Sequence, residues 1–475
     1  MALAQDDVAT LDRQTIKVVV AVLIGGLAVL LDSTIVSVAL KSLATDLGAS
    51  ITTIQWITTA YLLAVGVTVP LAVWAQARWG GKRLWLGGLV LFGVGSIAAS
   101  LAGSAGLLIA ARVLQGVGGG ILMPLMATLP LQAARGRVTG RMIATVSLPM
   151  LIGPMLGPVI GGLILHWLSW RWLFWVNVPL VVVGFVAAAR ALPGRDELER
   201  RTLDVLGAVL LPPGLVGMLY GLSQVSSAGG FGHTKVLVPL LAGAALVAGF
   251  AVYAVRRGPD ALVDVRLLAR RQVASSCAVL FLAGAGLFAG MFLLPLFWQV
   301  SRGQSVLVAG AMMVPQGVGS LVSRTTAGRL TDTIGARGVS MAGVLVTAAA
   351  TVPFAVAGPT TSAWWLGAAL FVRGVGLGAV TIPVMAVAYR GLTGDDVAHA
   401  SVLTRVSQQV GGSFGTAVLA VVLEHGLTTG TPAEAFNRAF WWAIGLSLVT
   451  ALVVPTLPGR VAHGSPAALL DDVAV

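Results

Sequence analysis

The chain has 475 residues, of which 57% are hydrophobic and only 10% charged, with a mean hydropathy of +0.92. Soluble domains carry about 25% charged residues, so a soluble globular class is excluded, and the single Cys277 excludes a disulfide framework or a cysteine-based zinc site. A net charge of +12 would suggest a nucleic-acid partner in a soluble protein, but here the positions of the charges point to topology and leave no nucleic-acid role.

A bilayer-spanning helix needs about 20 mainly apolar residues. Such runs are predicted at 17–40, 52–74, 83–103, 106–128, 142–166, 171–192, 203–224, 235–256, 273–300, 305–326, 338–358, 363–389, 401–424 and 437–457. The expected class is an all-α membrane protein with 14 transmembrane helices. With the N-terminus inside, most Lys and Arg residues fall in or beside cytoplasmic segments. Only Lys41, Arg171, Lys235, Arg302 and Arg438 fall outside, and Arg112, Arg373 and Arg405 lie within spans. That asymmetry follows the positive-inside rule and predicts cytoplasmic termini.

The first span is too long for a cleavable signal peptide and lacks a small-residue cleavage site. It carries Asp32, the one carboxylate deep inside an apolar run. A charge there costs roughly 2.5–3.5 kcal/mol on insertion scales, so it marks a functional site by default. Helix 1 runs outward, which places Asp32 about 13 Å below Lys41 at 1.5 Å per residue. Helix 4 runs inward, which places Arg112 about 9 Å below the same face. Two buried opposite charges at similar depth each need a partner. Burial favours a protonated carboxyl and a nearby cation favours its ionised form, so Asp32 is the expected proton carrier and Arg112 the group that tunes release. A static ion pair is the alternative.

In the fifth span, GPMLGPVIGG (153–162) repeats glycine every four residues at Gly153, Gly157 and Gly161, followed by Gly162. Such a strip lets another helix approach closely, while Pro154 and Pro158 remove backbone donors and bend the helix. Trp167, Trp170, Trp172 and Trp175 read as an interfacial aromatic belt. Two further spans, 203–224 and 235–256, sit between charged segments. PGRDELERRTLD (193–204) reads as a solvated loop. RRGPDALVDVRLLARR (256–271) is expected to lie along the inner membrane surface with its Arg residues towards anionic lipid. Arg405 is expected to snorkel to the inner surface, and Glu424 and His425 to end helix 13 at the outer face.

The chain also repeats itself. GVGGG follows Gln115 and GVGLG follows Arg373, each leading to a Pro-x-Met-Ala segment, at 124–127 and 383–386. The predicted division is a cytoplasmic N-terminus (1–16), a six-helix bundle (17–192), a central segment with two inserted helices (193–272), a second six-helix bundle (273–457) and a cytoplasmic tail (458–475).

These motifs together resemble the major facilitator superfamily, and within it the fourteen-span drug:proton antiporters that include quinolone and quaternary-ammonium exporters. LDSTIVSVAL (31–40), RVLQGVGGG (112–120), GPMLGPVIGG (153–162), SWRWLFWVNVP (169–179) and QQVGGSFGTA (408–417) are similar to that family's segments, in order, across residues 15–457. The resemblance implies a major facilitator fold of two six-helix bundles plus two inserted helices. It also implies antiport for the Gly–Pro motif, and a gating loop of the form G-x-L-x-D-x-x-G-x-R. The second half keeps that loop at Gly328, Leu330, Asp332, Gly335 and Arg337. The first half has Val73, Ala75 and Ala77 at the Gly, Leu and Asp positions, keeping Gly80 with basic Arg78, Lys82 and Arg83. A weaker inner latch is expected where Ala77 stands.

Hydrogen-bonding candidates for a substrate cavity are Gln115, Gln299, Gln316, Arg373 and Gln408. Tyr61, Met123, Met150, Phe292 and Trp298 are candidates for an adaptable apolar wall. The expected function is proton-coupled export of lipophilic drugs or natural products from a bacterium, as a monomer in the cytoplasmic membrane, with no cofactor and no metal. A single deep acid favours neutral, zwitterionic or monocationic cargo, and three buried arginines leave anionic cargo open. The alternatives are a narrow-specificity proton-coupled metabolite transporter, or a receptor or scaffold without transport. An enzyme is not expected, because no cluster of nucleophile, base or metal ligands is present.

Overall fold

A computed structural model of the chain describes residues 13–133, 157, 159–194, 203–225, 228, 230–358, 360–392 and 395–458. Among these every regular element is helical. Eleven helices are long and apolar enough to cross a bilayer. The first part of the fifth predicted span lies outside the described residues, and its end is helical at 159–167.

The first group contains α1 (Arg13–Ile35), the short α2 (Leu40–Asp46), α3 (Ile51–Trp79), α4 (Gly81–Ser100), α5 (Ala105–Ala133), α6 (Trp172–Trp175) and α7 (Asn177–Ala191). The first span is not one helix to residue 40. Ser33 and Thr34 hydroxyls bond back to the carbonyls of Leu30 and Leu31, and α1 gives way to a 3-10 turn at Val36–Val38. Short polar side chains that compete for backbone acceptors loosen a helix in this way.

The inserted pair is α8 (Val205–Ser223) and α9 (Thr234–Arg257). The second group contains α10 (Arg271–Leu296), α11 (Val306–Ala311), α12 (Val314–Ile334), α13 (Ala336–Ala355), α14 (Ala363–Tyr389), α15 (Asp395–Thr429) and α16 (Pro432–Val453). The predicted span 305–326 breaks into α11 and α12, and α12 runs on to Ile334. Helix α15 continues past Glu424 and His425 to Thr429.

One helix organises each group. Helix α5 packs on α1, α3 and α4, and α14 packs on α10, α12 and α13. The glycine runs are the reason. Residues four apart share a helix face, and the residue between them faces the other way. On α5 a Cβ at Gly116 or Gly120 would strike the backbone of Tyr61 or Val65 in α3, and one at Gly118 would strike Phe92 in α4. On α14, Gly374 and Gly378 meet α12 at Gln316 and Ser320, while Gly376 meets α13 at Gly343. The sequence repeat is thus a repeat of close helix approach.

The turns repeat as well. Gly80 joins α3 to α4 at φ 83 and ψ 150, and Gly335 joins α12 to α13 at φ 85 and ψ 155. That backbone region is essentially open to glycine alone.

Helix α8 packs against α3 of the first group and α15 of the second, so the inserted pair covers the seam between the groups. Its base is held by Asp204. That carboxylate caps α8 at Gly207 N (3.0 Å) and accepts from Leu262 N (2.8 Å) and Tyr253 Oη (2.5 Å). The connector packs against the helix ends. It makes two 3-10 turns, buries Ala261, Leu262, Val263 and Leu267 against the bundle, and docks on α15 through Asp264 N to His399 Nδ1 at 3.4 Å. The Arg266 guanidinium beside Asp264 holds that carboxyl below the usual carboxylate range despite its burial. Arg270 adds a 3.1 Å contact to Asp396.

Candidate functional site: a buried ion pair among five helices

Asp32 sits in the last full turn of α1, just before the helix loosens. Its Oδ2 accepts from Arg112 Nη1 of α5 in a direct ion pair. Its Oδ1 accepts from Asn177 Nδ2 of α7 at 2.9 Å and from Gln115 Nε2 of α5 at 3.3 Å. Gln115 also donates to Ser96 Oγ of α4 at 2.7 Å, and its own Oε1 accepts from Arg112 Nη1 at 2.9 Å. Arg112 Nε donates to Ile57 O of α3 at 3.1 Å, and the guanidinium lies 4.1 Å from the centre of the Tyr61 ring. Asp32, Arg112, Gln115, Ser96 and Asn177 are all 0% exposed.

Ionised groups removed from water are tolerated when their remaining donors and acceptors are satisfied, and removing one partner typically costs about 3–5 kcal/mol. Here the satisfaction is nearly complete. Among the described residues Arg112 Nη2 and Asn177 Oδ1 lack a partner. A proton arriving at Asp32 would cancel the charge that faces Arg112 and leave the guanidinium with neutral acceptors at Gln115 and Ile57. The arrangement can therefore convert proton occupancy into a change in how firmly α1 is tied to α5.

The described glycines of the Gly–Pro motif adjoin this pair. A Cβ at Gly157 would strike the Thr34 hydroxyl and approach Leu31 O, and one at Gly161 would meet Ile35 O at 2.9 Å. The glycine strip lies along α1 on both sides of Ile35, next to Asp32. Gly162 is buried, while Gly153, Pro154, Pro158 and Met150 lie outside the described residues.

The gating-loop residues separate into two kinds. Gly80 and Gly335 form the paired turns, and Lys82 Nζ donates to Leu192 O at 2.8 Å, closing the end of α7. Arg78, Arg83 and Arg337 are exposed, and Gly328 lies within α12. The backbone at Asp332 is helical, and its side chain lies outside the description. Beside Ala77, Gln76 bridges α3 to α5 through Thr128 and Gln132, both at 3.3 Å.

Four residues expected at a cavity, Tyr61, Gln115, Trp298 and Arg373, are buried. Gln115 belongs to the polar cluster at Asp32, because its amide is the right length to reach both Ser96 and the carboxylate. Tyr61 is packed flat under Arg112. Trp298 belongs to an aromatic core in which the Phe297 ring lies 5.5–5.8 Å from those of Trp298, Phe354, Phe436 and Phe440. Gln299 donates to Pro295 O of its own helix (3.3 Å), and Phe292 packs half-buried on the same core. Gln316 and Arg373 are brought together at 2.5 Å. Gln408 and Met123 are half-buried. Arg405 does not turn to a membrane surface: its Nη2 reaches across from α15 to Met123 Sδ of α5 at 3.7 Å.

Ser96 and Asn177 were not among the expected site residues. Asn177 stands in SWRWLFWVNVP, an amide inside an otherwise apolar helix start, and that placement was a readable signal. Ser96 carried none, since serine is common in membrane helices.

Comparison with known proteins identifies the family. The family model described as Major Facilitator Superfamily matches residues 22–416. A multidrug resistance protein B homolog of Mycobacterium tuberculosis is 35% identical over 396 residues, covering 83% of this chain and 73% of that protein. The cephamycin export protein CmcT of Amycolatopsis lactamdurans is 32% identical over 467 residues, covering 93% of each. The crystal structure of a D-xylose-proton symporter superposes with a TM-score of 0.67 at 15% identity, over 94% of this chain and 98% of that one. With two helix groups each organised by a glycine-run helix, and a family match over most of its length, this chain belongs to the Major Facilitator Superfamily and is a multi-pass membrane transporter, not an enzyme.

Proposed function

We propose that the protein is a proton-coupled antiporter that exports lipophilic small molecules across a bacterial cytoplasmic membrane by alternating access. The observation that carries this reading is the fully buried Asp32–Arg112 pair and its neutral hydrogen-bonding shell. A carboxylate sealed from water on every side cannot exchange a proton without a second conformation, which is what an alternating-access carrier supplies. Proton binding at Asp32 weakens the tie between α1 and α5, and release to the other side restores it. Gly157 and Gly161, in the fifth predicted span, let α1 slide or rotate at the point where the tie is made. The Gly80 and Gly335 turns lie on the cytoplasmic side and pivot the two helix groups. Relatives named for multidrug resistance and for cephamycin export support outward movement of drug-like or natural-product cargo.

Everted membrane vesicles test the coupling. Wild type is expected to take up a fluorescent lipophilic substrate when a pH gradient, acid inside, is imposed, and Asp32→Asn is expected to lose that dependence. Asn keeps the size of the side chain and one of its two acceptor oxygens, loses the other acceptor, and cannot carry the proton. Retained gradient-driven uptake by the Asn variant would rule out Asp32 as the essential carrier.

A further inference from the structure

The two halves differ at one matched position. Counting from the glycine triads, Gln115 directly precedes Gly116 on α5, and Arg373 directly precedes Gly374 on α14. Gln115 reaches towards α1 and finds Asp32. Arg373 reaches towards α10 and finds only neutral acceptors: Gln316 Oε1 at 2.5 Å, Thr351 Oγ1 at 3.3 Å and Gly286 O at 3.3 Å. Its guanidinium lies against Gly290, where a Cβ would strike Nη2. Arg373 is only 4% exposed. Among the described residues no carboxylate pairs with it. Two members of its shell are only half-buried, Gln316 and Gly286, and a Cβ added at Gly286 would meet nothing within 4 Å.

A guanidinium removed from water is stabilised most by a carboxylate, which its planar donors match two at a time. The protein supplies such a group to Arg112 and supplies none, among the described residues, to Arg373. A second cation, Arg405, crosses from α15 to α5 with Met123 Sδ as its contact and likewise has no described carboxylate beside it. Asp32 and Arg112 cancel, and the other buried carboxylates, Asp204 and Asp264, lie at the base of α8 and in the connector, so Arg373 is the buried charge left over within the described membrane-crossing helices.

We propose that Arg373, with Gln316 and the open backbone at Gly286, is a binding subsite for an anionic group of the cargo, a carboxylate in the first instance, and that organic monoanions are the preferred substrate class. This rests on the transport reading and sharpens it. It takes up the anionic cargo that the sequence left open, over the neutral, zwitterionic or monocationic cargo that one deep acid favours, because that acid is already paired within the first group. Arg405 stands as a second cation for the same anion as it crosses between the groups.

A matched probe series decides the matter by equilibrium binding, which does not depend on proton coupling. Dansyl-glycine, dansyl-glycinamide and dansyl-ethylenediamine share one fluorophore and carry charges of about −1, 0 and +1 at neutral pH. Binding is read by dansyl fluorescence with purified full-length protein in zwitterionic lipid nanodiscs. Wild type is expected to bind dansyl-glycine about tenfold more tightly than the other two, the scale of one good charge-assisted contact. Arg373→Gln is expected to bring dansyl-glycine down to the level of the amide while leaving the amide unchanged. Arg373→Lys is expected to keep part of the preference, and Arg405→Gln to reduce it less. Asp32→Asn, which tests coupling, is expected to leave the preference in place, so failure of the proton mechanism and failure of the anion subsite give different results. Equal or undetectable binding of the three probes by wild type, a preference for the cation, or an unchanged preference in a folded Arg373→Gln protein would each overturn the proposal.

Discussion

Asp32 accepts from three side chains on two neighbouring helices, Arg112 and Gln115 on α5 and Asn177 on α7, so its energetic role can be separated from its transport role. Arg112→Ala leaves an uncompensated buried carboxylate and is expected to lower unfolding stability by about 3–5 kcal/mol. The double variant Asp32→Ala/Arg112→Ala removes both charges and is expected to be less destabilised than the sum of the two single changes. Thermal unfolding in detergent, analysed as a double-mutant cycle, measures that coupling; additive losses would mean the pair contributes little to stability. Asp32 and Arg112 were legible because a charge in an apolar run stands out and because counting residues at 1.5 Å each matched their depths. Ser96 was not legible, since a serine is ordinary in such a run until neighbouring helices bury it beside a charge, whereas Asn177 stood out as an amide at an apolar helix start.

At the scale of elements, glycine does two separate jobs, and substitutions distinguish them. Gly80 and Gly335 hold backbone angles that other residues rarely adopt, so Gly80→Ala and Gly335→Ala are each expected to cost about 1–3 kcal/mol. Gly87 lies within α4, where an added Cβ would meet nothing within 4 Å. Gly87→Ala is expected to be neutral or to stabilise by about 0.5–1 kcal/mol, the usual gain on replacing a helical glycine. Melting curves of the three variants test this, and equal losses at all three positions would contradict it. Eleven of the fourteen predicted spans, among the described residues, and the repeat were legible from hydropathy and motif spacing. The break after Ile35 and the division of the 305–326 run into α11 and α12 were not, because both depend on local hydrogen bonding that an apolar window does not register.

At the scale of the molecule, the inserted pair acquires a place. Helix α8 touches both helix groups at the seam between α3 and α15, and its base is fastened by one buried carboxylate. Asp204→Ala would leave Leu262 N and Tyr253 Oη without their acceptor and remove the cap of α8. Each buried group left unsatisfied costs about 1–3 kcal/mol. The variant is expected to loosen the connector at Leu262–Asp264 and raise proteolytic cleavage there, read by limited trypsinolysis at Arg266, Arg270 and Arg271. Unchanged cleavage would mean that the buried Leu267 and the His399 contact hold the connector without Asp204. The sequence reading placed this connector on the lipid surface because alternating apolar and Arg residues fit that pattern. The apolar side chains turn out to be covered by helix ends, leaving the arginines outward in either case.

Composition and span length were enough by themselves to indicate a helical membrane protein, because a bilayer leaves a polypeptide few other ways to satisfy its backbone; the repeated motifs suggested two related halves, and the transport reading came from their resemblance to a known family. They were also enough to mark Asp32 and Arg112, because isolated charges in hydrocarbon are costly and therefore rare. Only the tertiary structure decided which groups meet. It buried Tyr61 and Trp298 in packing cores, drew Gln115, Ser96 and Asn177 together around Asp32, and left Arg373 among neutral acceptors on Gln316, Thr351 and Gly286. Those outcomes depend on the rotation and close approach of helices far apart in sequence, set by glycine triads whose faces are known only once their partners are in place.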